Sequence, residues 1–298
     1  MAWTPDTGPG LSEVTTRMQP ALESPFTEHT PPPSSVSVII VSYKVCARLR
    51  RCLQSLESAT EIVVVDNASA DGSAAMVREL FPDVTLVANS ENLGFGAAVN
   101  QGLQRCSGDM ILLLNPDARL QCSLAMLSER LARLPLAAGI GFRQVDESGF
   151  FQLSFGPPPW LFAELVRNLV QRRLDRRNAW VAARLDRIFC RPMRVPWVSA
   201  SCLLLRSRPL RDIGGFDERF FLYFEDIDLC LRLRQLGGEI WYDPTLTIVH
   251  DRGASAAVQR PAAARAYRAS HLYFWRKHRG PWVGRVVRAY ASLRDVLK

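Results

Sequence analysis

The chain has 298 residues, of which 48% are hydrophobic, enough for one large domain with appendages. Its formal net charge of +8 is concentrated in residues 160–195, with nine Arg against three acidic residues, and in residues 260–298, with ten Lys or Arg against one. No apolar run reaches the roughly 18 residues of a membrane span, and residues 1–35 lack the apolar core of a secretory signal, which argues against an integral membrane or secreted protein.

Seven cysteines are scattered through the chain without a Cys-x-x-Cys pair. This pattern predicts reduced, mostly buried thiols and argues against a disulfide framework or a zinc site. We therefore expect a cytoplasmic protein, either soluble or peripheral on the inner face of the cytoplasmic membrane.

Residues 1–35 are rich in Pro, Thr, Ser and Glu, which predicts a disordered leader. From residue 36 onward, apolar strand-like runs alternate with helical patterns and short loops. This alternation predicts an α/β fold with a mostly parallel central sheet flanked by helices, in which ligands bind at the carboxyl ends of the strands. The predicted strands are 36–42, 61–66, 84–88, 109–114 and 138–142, and the predicted helices are 45–58, 73–80, 96–105 and 123–134.

The second half of the chain is less regular. Residues 143–156 are predicted to be a polar loop or hairpin, and residues 160–194 one or two basic amphipathic helices. A further helix is expected to begin at Glu225 and to stop at a pair of glycines. The remaining predictions are strands at 195–205, 239–242 and 246–250 and a basic helical tail.

Two carboxylates directly follow predicted strands. Asp66 could accept hydrogen bonds from the base or ribose of a nucleotide, or it could cap the next helix. Asp117 lies beside Asn115 and a turn-fixing proline, and hard oxygen ligands so placed suit Mg²⁺ or Mn²⁺ bound to diphosphate oxygens. A plain Asn-Pro-Asp turn is the alternative for this second site.

Aromatic and acidic residues are crowded together in residues 214–232. Glu225, Asp226 and Asp228 fall in the first turn of the predicted helix, where the helix dipole favours ionised carboxylates. An ionised carboxylate beside an aromatic pocket suits a general base for a hydroxyl. The alternative is that these acids only cap the helix and that the neighbouring phenylalanines belong to the core.

A Gly-x-Gly-x-x-Val pattern begins at Gly94, two residues after Asn92, and includes Gly96. It is a weak match to a dinucleotide fingerprint, because that fingerprint directly follows the first strand and this pattern comes after the third. We interpret the glycines as permitting close backbone approach to a ligand. His250 ends an apolar run and is either a structural histidine or a ligand.

Taken in order, these motifs resemble the family 2 glycosyltransferases of the GT-A fold, especially their rhamnosyltransferase-like branch. The motifs that carry the likeness are 37–44, 64–73, 92–96 and 113–117 in the nucleotide-sugar-binding half, and 197–200, 214–218, 224–229 and His250 in the acceptor half. So many ordered motifs are more specific than any one of them. The implied organisation is a leader (1–35), a GT-A domain (36–255) and a basic helical tail (256–298), the domain comprising a nucleotide-sugar half (36–142), a basic helical insertion (157–195) and an acceptor half (196–255).

The resemblance implies a role for each matching residue. Asp117 would be the metal-contacting acid, with His250 as a further metal or diphosphate contact. Asp226 would be the catalytic base, while Glu225 and Trp197 would bind and position the acceptor. Asn115 stands where many relatives have an acid, so it offers a carbonyl oxygen without a charge. The implied nucleotide-sugar contacts are Val41, Ser42, Tyr43, Asp66, Asn92, Gly94 and Asn115.

These roles imply a metal-assisted inverting glycosyltransferase that uses Mg²⁺ or Mn²⁺. Its donor would be dTDP-rhamnose or a UDP-sugar, and its acceptor a glycan or a polyprenyl-linked lipid in cell-surface polysaccharide synthesis. Two alternatives remain at this stage. One is a non-catalytic basic protein that binds membrane or nucleic acid, although the resemblance itself implies no nucleic acid. The other is an NAD-dependent oxidoreductase.

The two basic segments, 160–195 and 260–298, combine arginines with apolar stripes. This combination is typical of amphipathic helices that lie on an anionic membrane surface, which would suit a lipid-linked acceptor. The alternative is that their apolar faces pack on the main domain or on another protomer, with the arginines in water.

Overall fold

A computed structural model describes residues 35–56, 61–251 and 260–296 of the chain. The predicted leader lies outside the described residues except for its last residue. The first half alternates strands and helices as predicted. Its elements are β1 (Val36–Ser42), α1 (Cys46–Gln54), β2 (Glu61–Asp66), α2 (Ser73–Leu80), β3 (Thr85–Ala88), α3 (Phe95–Leu103), β4 (Met110–Leu114), β5 (Ala118–Leu120), α4 (Leu124–Ala132) and β6 (Ala137–Val145).

The second half adds short strands, one long strand and the helices of the basic segments. Its elements are β7 (Phe151–Gln152), β8 (Phe155–Gly156), α5 (Leu161–Asp175), α6 (Ala179–Ile188), β9 (Met193–Arg194), β10 (Trp197–Val198), β11 (Cys202–Arg206), α7 (Ser207–Asp212), α8 (Glu225–Gln235), β12 (Glu239–His250) and α9 (Arg260–Val296). None of the described helices is long and apolar enough to cross a membrane.

In the described part of the chain, a ten-stranded sheet has the main strand order β3-β2-β1-β4-β11-β6-β12-β5. Strands β3, β2, β1 and β4 are parallel to one another. Strand β11 then runs antiparallel to both β4 and β6, and β12 returns parallel to β6. The predicted parallel sheet is therefore present in the nucleotide-sugar half, and the acceptor half makes the whole sheet mixed.

Both faces of the sheet are buried, which explains why its strands are continuous apolar runs. Ile39 on β1 belongs to a core with residues of α3 and α8, whereas Val38 and Ile40 belong to a core with residues of α1, α2 and α4. The domain is thus a helix–sheet–helix sandwich, and the carboxyl ends of the parallel strands open along one edge.

Two predicted elements differ from the structure. The predicted strand 195–205 is two strands, because β10 leaves the main sheet and pairs with β8. The two predicted strands after α8 are the single strand β12, whose pairing with β6 is irregular between Asp243 and Thr247. Of the two alternatives predicted for 143–156, the structure has the hairpin, in which β6 pairs with β7, and residues 151–156 are buried.

The predicted helical tail is α9, which is interrupted at Gly280 (φ 83°). Its first part packs against the end of the acidic–aromatic stretch through a cluster of Phe220, Phe224, Phe274 and Trp275. One face of the tail is therefore part of the fold, and it lies directly over the loop that precedes α8.

Candidate active site

The carboxyl ends of β1, β2 and β4 border a cavity of about 260 Å³, which we call the donor cavity. Five of the predicted nucleotide-sugar contacts line it: Val41, Tyr43, Asn92, Gly94 and Asn115. Asp117 and His250 also line it. The strand ends therefore gather the residues of the first four motifs, as expected for parallel strands that share an edge.

Asp66 and Ser42, the other two predicted nucleotide-sugar contacts, are buried and do not line this cavity. The carboxylate of Asp66 accepts hydrogen bonds from the backbone N–H (3.1 Å) and the hydroxyl of Ser69. It does not cap α2, since Asp71 accepts the hydrogen bond from the backbone N–H of Ser73 at the start of that helix. Asp66 thus shapes the loop after β2, and its contact with a nucleotide stays a prediction.

Asn67 was missed by the sequence analysis, although it follows the acid at the end of β2. It lines the donor cavity, and its Nδ2 donates a hydrogen bond to the carbonyl of Gly94 at 3.0 Å. Its Oδ1 accepts a hydrogen bond from Asn89 Nδ2 at 2.9 Å. Because both its Nδ2 and its Oδ1 are hydrogen-bonded, the Asn67 side chain is held in one orientation in the wall of the donor cavity.

The glycines before and in α3 make room for close protein contacts, and because Gly94 also lines the donor cavity, its close approach to a ligand stays a prediction. Gly94 has φ 88°, and a Cβ there would lie 2.5 Å from the carbonyl oxygen of Phe221. That carbonyl accepts a hydrogen bond from the backbone N–H of Phe95 at 2.9 Å. At Gly96, a Cβ would lie 3.0 Å from Cβ of Phe216. These contacts bring the loop before α8 against the nucleotide-sugar half.

A strand pair that the sequence analysis missed brings Asp117 and His250 together. Strand β5 pairs antiparallel with β12 in the register that sets Ala118 opposite His250. His250 Nε2 consequently lies 3.2 Å from Asp117 Oδ1, and both side chains are buried. At three residues, β5 is too short to be recognised from sequence periodicity.

The other ring nitrogen of His250 is held by Gln144. His250 Nδ1 donates to Oε1 of the buried Gln144 at 3.0 Å, which directs Nε2 toward Asp117. Asn115 Nδ2 makes a long contact of 3.4 Å with the same Nε2. Gln144 had no signal in the sequence, but its hydrogen bond fixes the orientation of a candidate ligand histidine.

These side chains fit a divalent cation. Asp117 Oδ1 is buried without a hydrogen-bond partner among the described residues, and it lies 3.2 Å from His250 Nε2. A carboxylate and an imidazole are ligands for Mn²⁺, and Mg²⁺ commonly binds through one or two carboxylates plus substrate phosphates. The described residues contain no group of three or more His, Cys, Asp or Glu suited to a metal. Substrate oxygens and water would therefore complete the coordination.

A second cavity, of about 670 Å³, adjoins the first, and we call it the acceptor cavity. Glu225, Asp226 and Trp197 line it. The two cavities share four lining residues, which are Phe95, Asn115, Leu222 and Tyr223. Asp117 and Asp226, although distant in sequence, therefore face one continuous cleft.

Burial raises the pKa of Glu225 well above its usual value, and the neighbouring charge of Asp226 raises it further. Burial also raises the pKa of Asp226, against the opposing effects of the Ile227 backbone N–H and the charge of Arg167. For this pair the net shift of the pKa is upward, opposite to the effect of the helix dipole alone, since desolvation outweighs the dipole. A carboxylate whose pKa is raised toward the operating pH is a better general base than a carboxylate with an ordinary pKa.

The backbone before this pair is strained. Tyr223 and Phe224 are consecutive residues with φ of 70° and 68°, in the left-handed region that costs a non-glycine residue about 1–3 kcal/mol. Packing from α9 supports this conformation. Ser270 Oγ donates a hydrogen bond to the carbonyl of Leu222 at 2.9 Å, and the Phe224 ring lies 5.3 Å from the Phe274 ring.

Two other acids of the same stretch attach α9 to the domain. Lys277 Nζ lies 2.7 Å from Asp217 Oδ2, and His278 Nε2 lies 2.8 Å from Asp228 Oδ1. Asp228 also accepts a hydrogen bond from Arg232 Nε at 2.8 Å. Despite burial, these partners hold the pKa of Asp217 and of Asp228 below their ordinary values. Asp217 and Asp228 are therefore structural acids.

The solved structures that resemble this chain define its class. A mannosyltransferase from Pyrobaculum calidifontis, in complex with GDP-Man and Mn²⁺, superposes with a TM-score of 0.51 at 19% identity, covering 90% of this chain and 77% of that one. GalNAc-T7 with UDP, GalNAc and Mn²⁺ gives a TM-score of 0.54 at 16% identity, covering 81% and 50%. The fold is that of the GT-A glycosyltransferases.

The chain belongs to glycosyl transferase family 2, whose family model matches residues 37–194. It is 31% identical to the N-acetylglucosaminyl-diphospho-decaprenol L-rhamnosyltransferase of Mycobacterium tuberculosis over 267 residues, which cover 82% of this chain and 85% of that protein. The pre-mycofactocin glycosyltransferase of the same species is 28% identical, covering 80% and 48%. The chain is thus a rhamnosyltransferase-like glycosyltransferase, which confirms the family resemblance of the motifs.

Proposed function

We propose that this glycosyltransferase inverts the anomeric carbon as it moves a sugar from a nucleotide diphosphate to a hydroxyl of a glycan carried on a polyprenyl lipid, in cell-surface polysaccharide synthesis. One observation carries the proposal. The donor cavity with Asp117 and His250 and the acceptor cavity with Glu225 and Asp226 form one cleft. An acceptor hydroxyl and a donor anomeric carbon can therefore meet between the two acidic sites.

Asp226 is the residue we assign as general base. It would take the proton of the acceptor hydroxyl as that oxygen attacks the anomeric carbon from the face opposite the leaving diphosphate. A single displacement of this kind inverts the anomeric configuration. Glu225, buried beside it with no hydrogen bond to its Oε2, would accept a hydrogen bond from a second hydroxyl of the acceptor sugar and so orient it.

Asp117 and His250 would hold Mg²⁺ or Mn²⁺ on the leaving-group side. A divalent cation there supplies positive charge against the negative charge that develops on the departing diphosphate. Asn67 and Asn92 would bind the nucleotide through their amides, and Asn115, which lines both cavities, would lie between nucleotide and acceptor. The Mn²⁺ and nucleotide ligands named with the two GT-A structures support this assignment.

The donor and the acceptor are proposed from the relatives. The name of the mycobacterial rhamnosyltransferase gives L-rhamnose as the transferred sugar and an N-acetylglucosaminyl diphosphate on decaprenol as the acceptor. We propose dTDP-rhamnose as the first donor to test and UDP-sugars as the second.

A lipid-linked acceptor requires access to a membrane, and we propose that an anionic bilayer surface contacts α5, α6 and α9. Large apolar side chains are exposed on these helices, including Phe162, Trp180 and Trp282. The guanidinium of Arg279 lies 4.3 Å from the ring of Trp160, so α9 and the start of α5 form one surface. The surplus of arginines in both segments complements anionic headgroups.

The test begins with donor binding. We expect the melting temperature of the protein to rise with one nucleotide sugar in the presence of Mn²⁺, and less without the metal. The same donor and a prenyl-diphosphate-linked N-acetylglucosamine should then give a product whose new anomeric proton, measured by NMR, has the inverted configuration. A product that retains the donor configuration contradicts the single displacement, and the absence of any donor binding contradicts the proposed function.

A further inference from the structure

The acceptor cavity contains an arginine whose hydrogen-bonding capacity the protein does not use. Arg167 of α5 lines this cavity with Glu225 and Asp226. Its Nε is buried without a hydrogen-bond partner, and no described residue accepts a hydrogen bond from its guanidinium or forms an ion pair with it. An arginine fork with free donors inside a substrate cavity is suited to an anion.

Several partly buried arginines of the protein are paired. Arg143 binds both carboxylate oxygens of Asp186 at 2.7 Å. Arg206 donates to the carbonyls of Leu131, Leu134 and Ala137, between α4 and β6, and Arg232 donates to Asp228 and to two carbonyls. Arg48 also has a buried Nε without a partner, but it lines neither cavity. Arg167 combines unpaired donors with a place in the wall of the acceptor cavity, and such donors are costly unless a ligand pairs them.

Arg167 is nevertheless held in one place. Its guanidinium lies 4.6 Å from the ring of Trp197, whose Nε1 donates a hydrogen bond to the carbonyl of Pro157 at 3.0 Å. Gly156 makes the space for this stack, since a Cβ there would lie 2.3 Å from the Trp197 ring and 2.9 Å from Arg167 Cδ. Stacking leaves the edge of the guanidinium free to donate, which is the geometry of a preorganised anion site.

The position of Arg167 indicates which substrate would carry the anion. The donor diphosphate belongs with Asp117 and His250 in the donor cavity, which Arg167 does not line. An anion at Arg167 is therefore part of the acceptor, close to the base Asp226. Arg167 lies on the face of α5 that lines the acceptor cavity. The exposed apolar residues of α5 lie on the opposite face of the helix and do not line the cavity; they are Phe162, Leu165, Val166 and Leu169.

We propose that Arg167 binds the diphosphate that links the acceptor sugar to its prenyl chain, and so selects diphosphate-linked acceptors over neutral ones. The sugar hydroxyl then reaches Asp226 and the diphosphate reaches Arg167, while the prenyl chain extends out of the cavity. This assignment rests on the proposed function and adds to it the residue that recognises the diphosphate of the acceptor. It also gives the helical insertion a part in substrate choice.

The experiment compares two soluble acceptors, farnesyl diphospho-N-acetylglucosamine and the farnesyl glycoside of N-acetylglucosamine, which lacks the diphosphate. Without donor, calorimetric titration gives the Kd of each for the wild type, Arg167→Gln, Arg167→Lys and the control Arg173→Gln. Arg173 is exposed on the same helix, so this control matches the change in charge. Turnover measured in the presence of the donor gives the KM of each protein for each acceptor.

We expect the wild type to bind the diphosphate acceptor more tightly than the glycoside. Arg167→Gln should weaken binding of the diphosphate acceptor roughly 10- to 100-fold and that of the glycoside less than about threefold. The affinity of Arg167→Lys for the diphosphate acceptor should fall between those of the wild type and of Arg167→Gln. Arg173→Gln should bind both acceptors as the wild type does. Equal losses on both acceptors, or no loss on either, would overturn the assignment. Selective binding without sugar transfer would support the anion site and contradict the proposed function.

Discussion

The two sides of the cleft are built by different means. The donor side uses the ends of β1, β2 and β4, where a regular parallel sheet already brings the polar residues to one edge. The acceptor side uses a strained loop, a pair of acids with raised pKa, an arginine from the inserted helix α5 and support from α9. On the proposed function, the sheet would provide the site for the nucleotide, whereas the loop before α8 and the helices α5 and α9 would form the site that chooses the acceptor.

The same contrast appears within residues 217–228. Glu225 and Asp226 face the cavity, and desolvation raises the pKa of both. Asp217 and Asp228 face Lys277 and His278 of α9, and the pKa of each is lowered. Neighbouring acids on one short segment thus divide between function and stability according to the direction in which each side chain points.

The largest effect should come from Asp226→Asn, which removes the proposed base on the acceptor side alone. We expect kcat to fall by about 10²-fold or more, because an amide cannot take the acceptor proton. Donor binding, measured by the rise in melting temperature with nucleotide sugar and Mn²⁺, should be preserved. Asp212→Asn, at an exposed acid of α7, is the control. Near-wild-type turnover in Asp226→Asn would remove this residue from its role.

Opposite effects on stability should follow from Asp228→Asn and Glu225→Gln at pH 7. The first should lower the free energy of unfolding by about 3 kcal/mol, because it removes the buried carboxylate that Arg232, Lys277 and His278 share. The second should raise the melting temperature. A raised folded-state pKa means that stability is lost as pH rises above the unfolded carboxyl value of about 4.3, and glutamine cannot ionise.

Calorimetry at pH 7 and pH 5 checks this pair. The gain from Glu225→Gln should shrink at pH 5, where the wild-type carboxyl is increasingly protonated. Because the pKa of Asp228 is lowered in the folded state, its contribution is fully present above its unfolded value and is lost only at lower pH. If both variants shift the melting temperature in the same direction, the proposed division between functional and structural acids is wrong.

A smaller effect is expected from Asp117→Asn on the donor side. The variant should bind Mn²⁺ in the presence of the nucleotide roughly 10- to 100-fold more weakly, because the site loses its charged ligand while His250 remains. Titration of Mn²⁺ against the melting temperature measures this loss, with Asp83→Asn at an exposed position as the control. An unchanged metal dependence would place the cation elsewhere.

The smallest effect concerns the membrane surface. At moderate salt, we expect the protein to sediment with vesicles containing phosphatidylglycerol and only weakly with pure phosphatidylcholine vesicles. Phe162→Ser should reduce binding severalfold, whereas Met126→Ser, at an exposed apolar residue of α4, should not. Equal binding to the two kinds of vesicle would contradict an electrostatic membrane contact.

Much of the fold was predictable because its signals are local. Uninterrupted runs such as Val-Ser-Val-Ile-Ile-Val in β1 can only be strands buried on both faces, and the alternation with helices then implies a parallel sheet. The acids after β4 and in the first turn of α8 were recognisable for the same reason, since Asp117, Glu225 and Asp226 each belong to a short motif. That Glu225 and Asp226 face the cavity while Asp217 and Asp228 bind α9 was not recognisable, because the partners of a carboxyl, and therefore its pKa, depend on the fold.

The remaining features depend on contacts between distant parts of the chain. His250 reaches Asn115, 135 positions away, only because β5 pairs with β12, and Gln144 orients its ring from a third strand. In the sequence, Arg167 is one of many basic residues. The fold places its guanidinium over the ring of Trp197 and near Asp226. Local patterns therefore determined the sheet and the motifs that carry the acids. Packing decided which side chains share a cleft, because contacts between residues of different strands and helices produce no repeating pattern in the sequence.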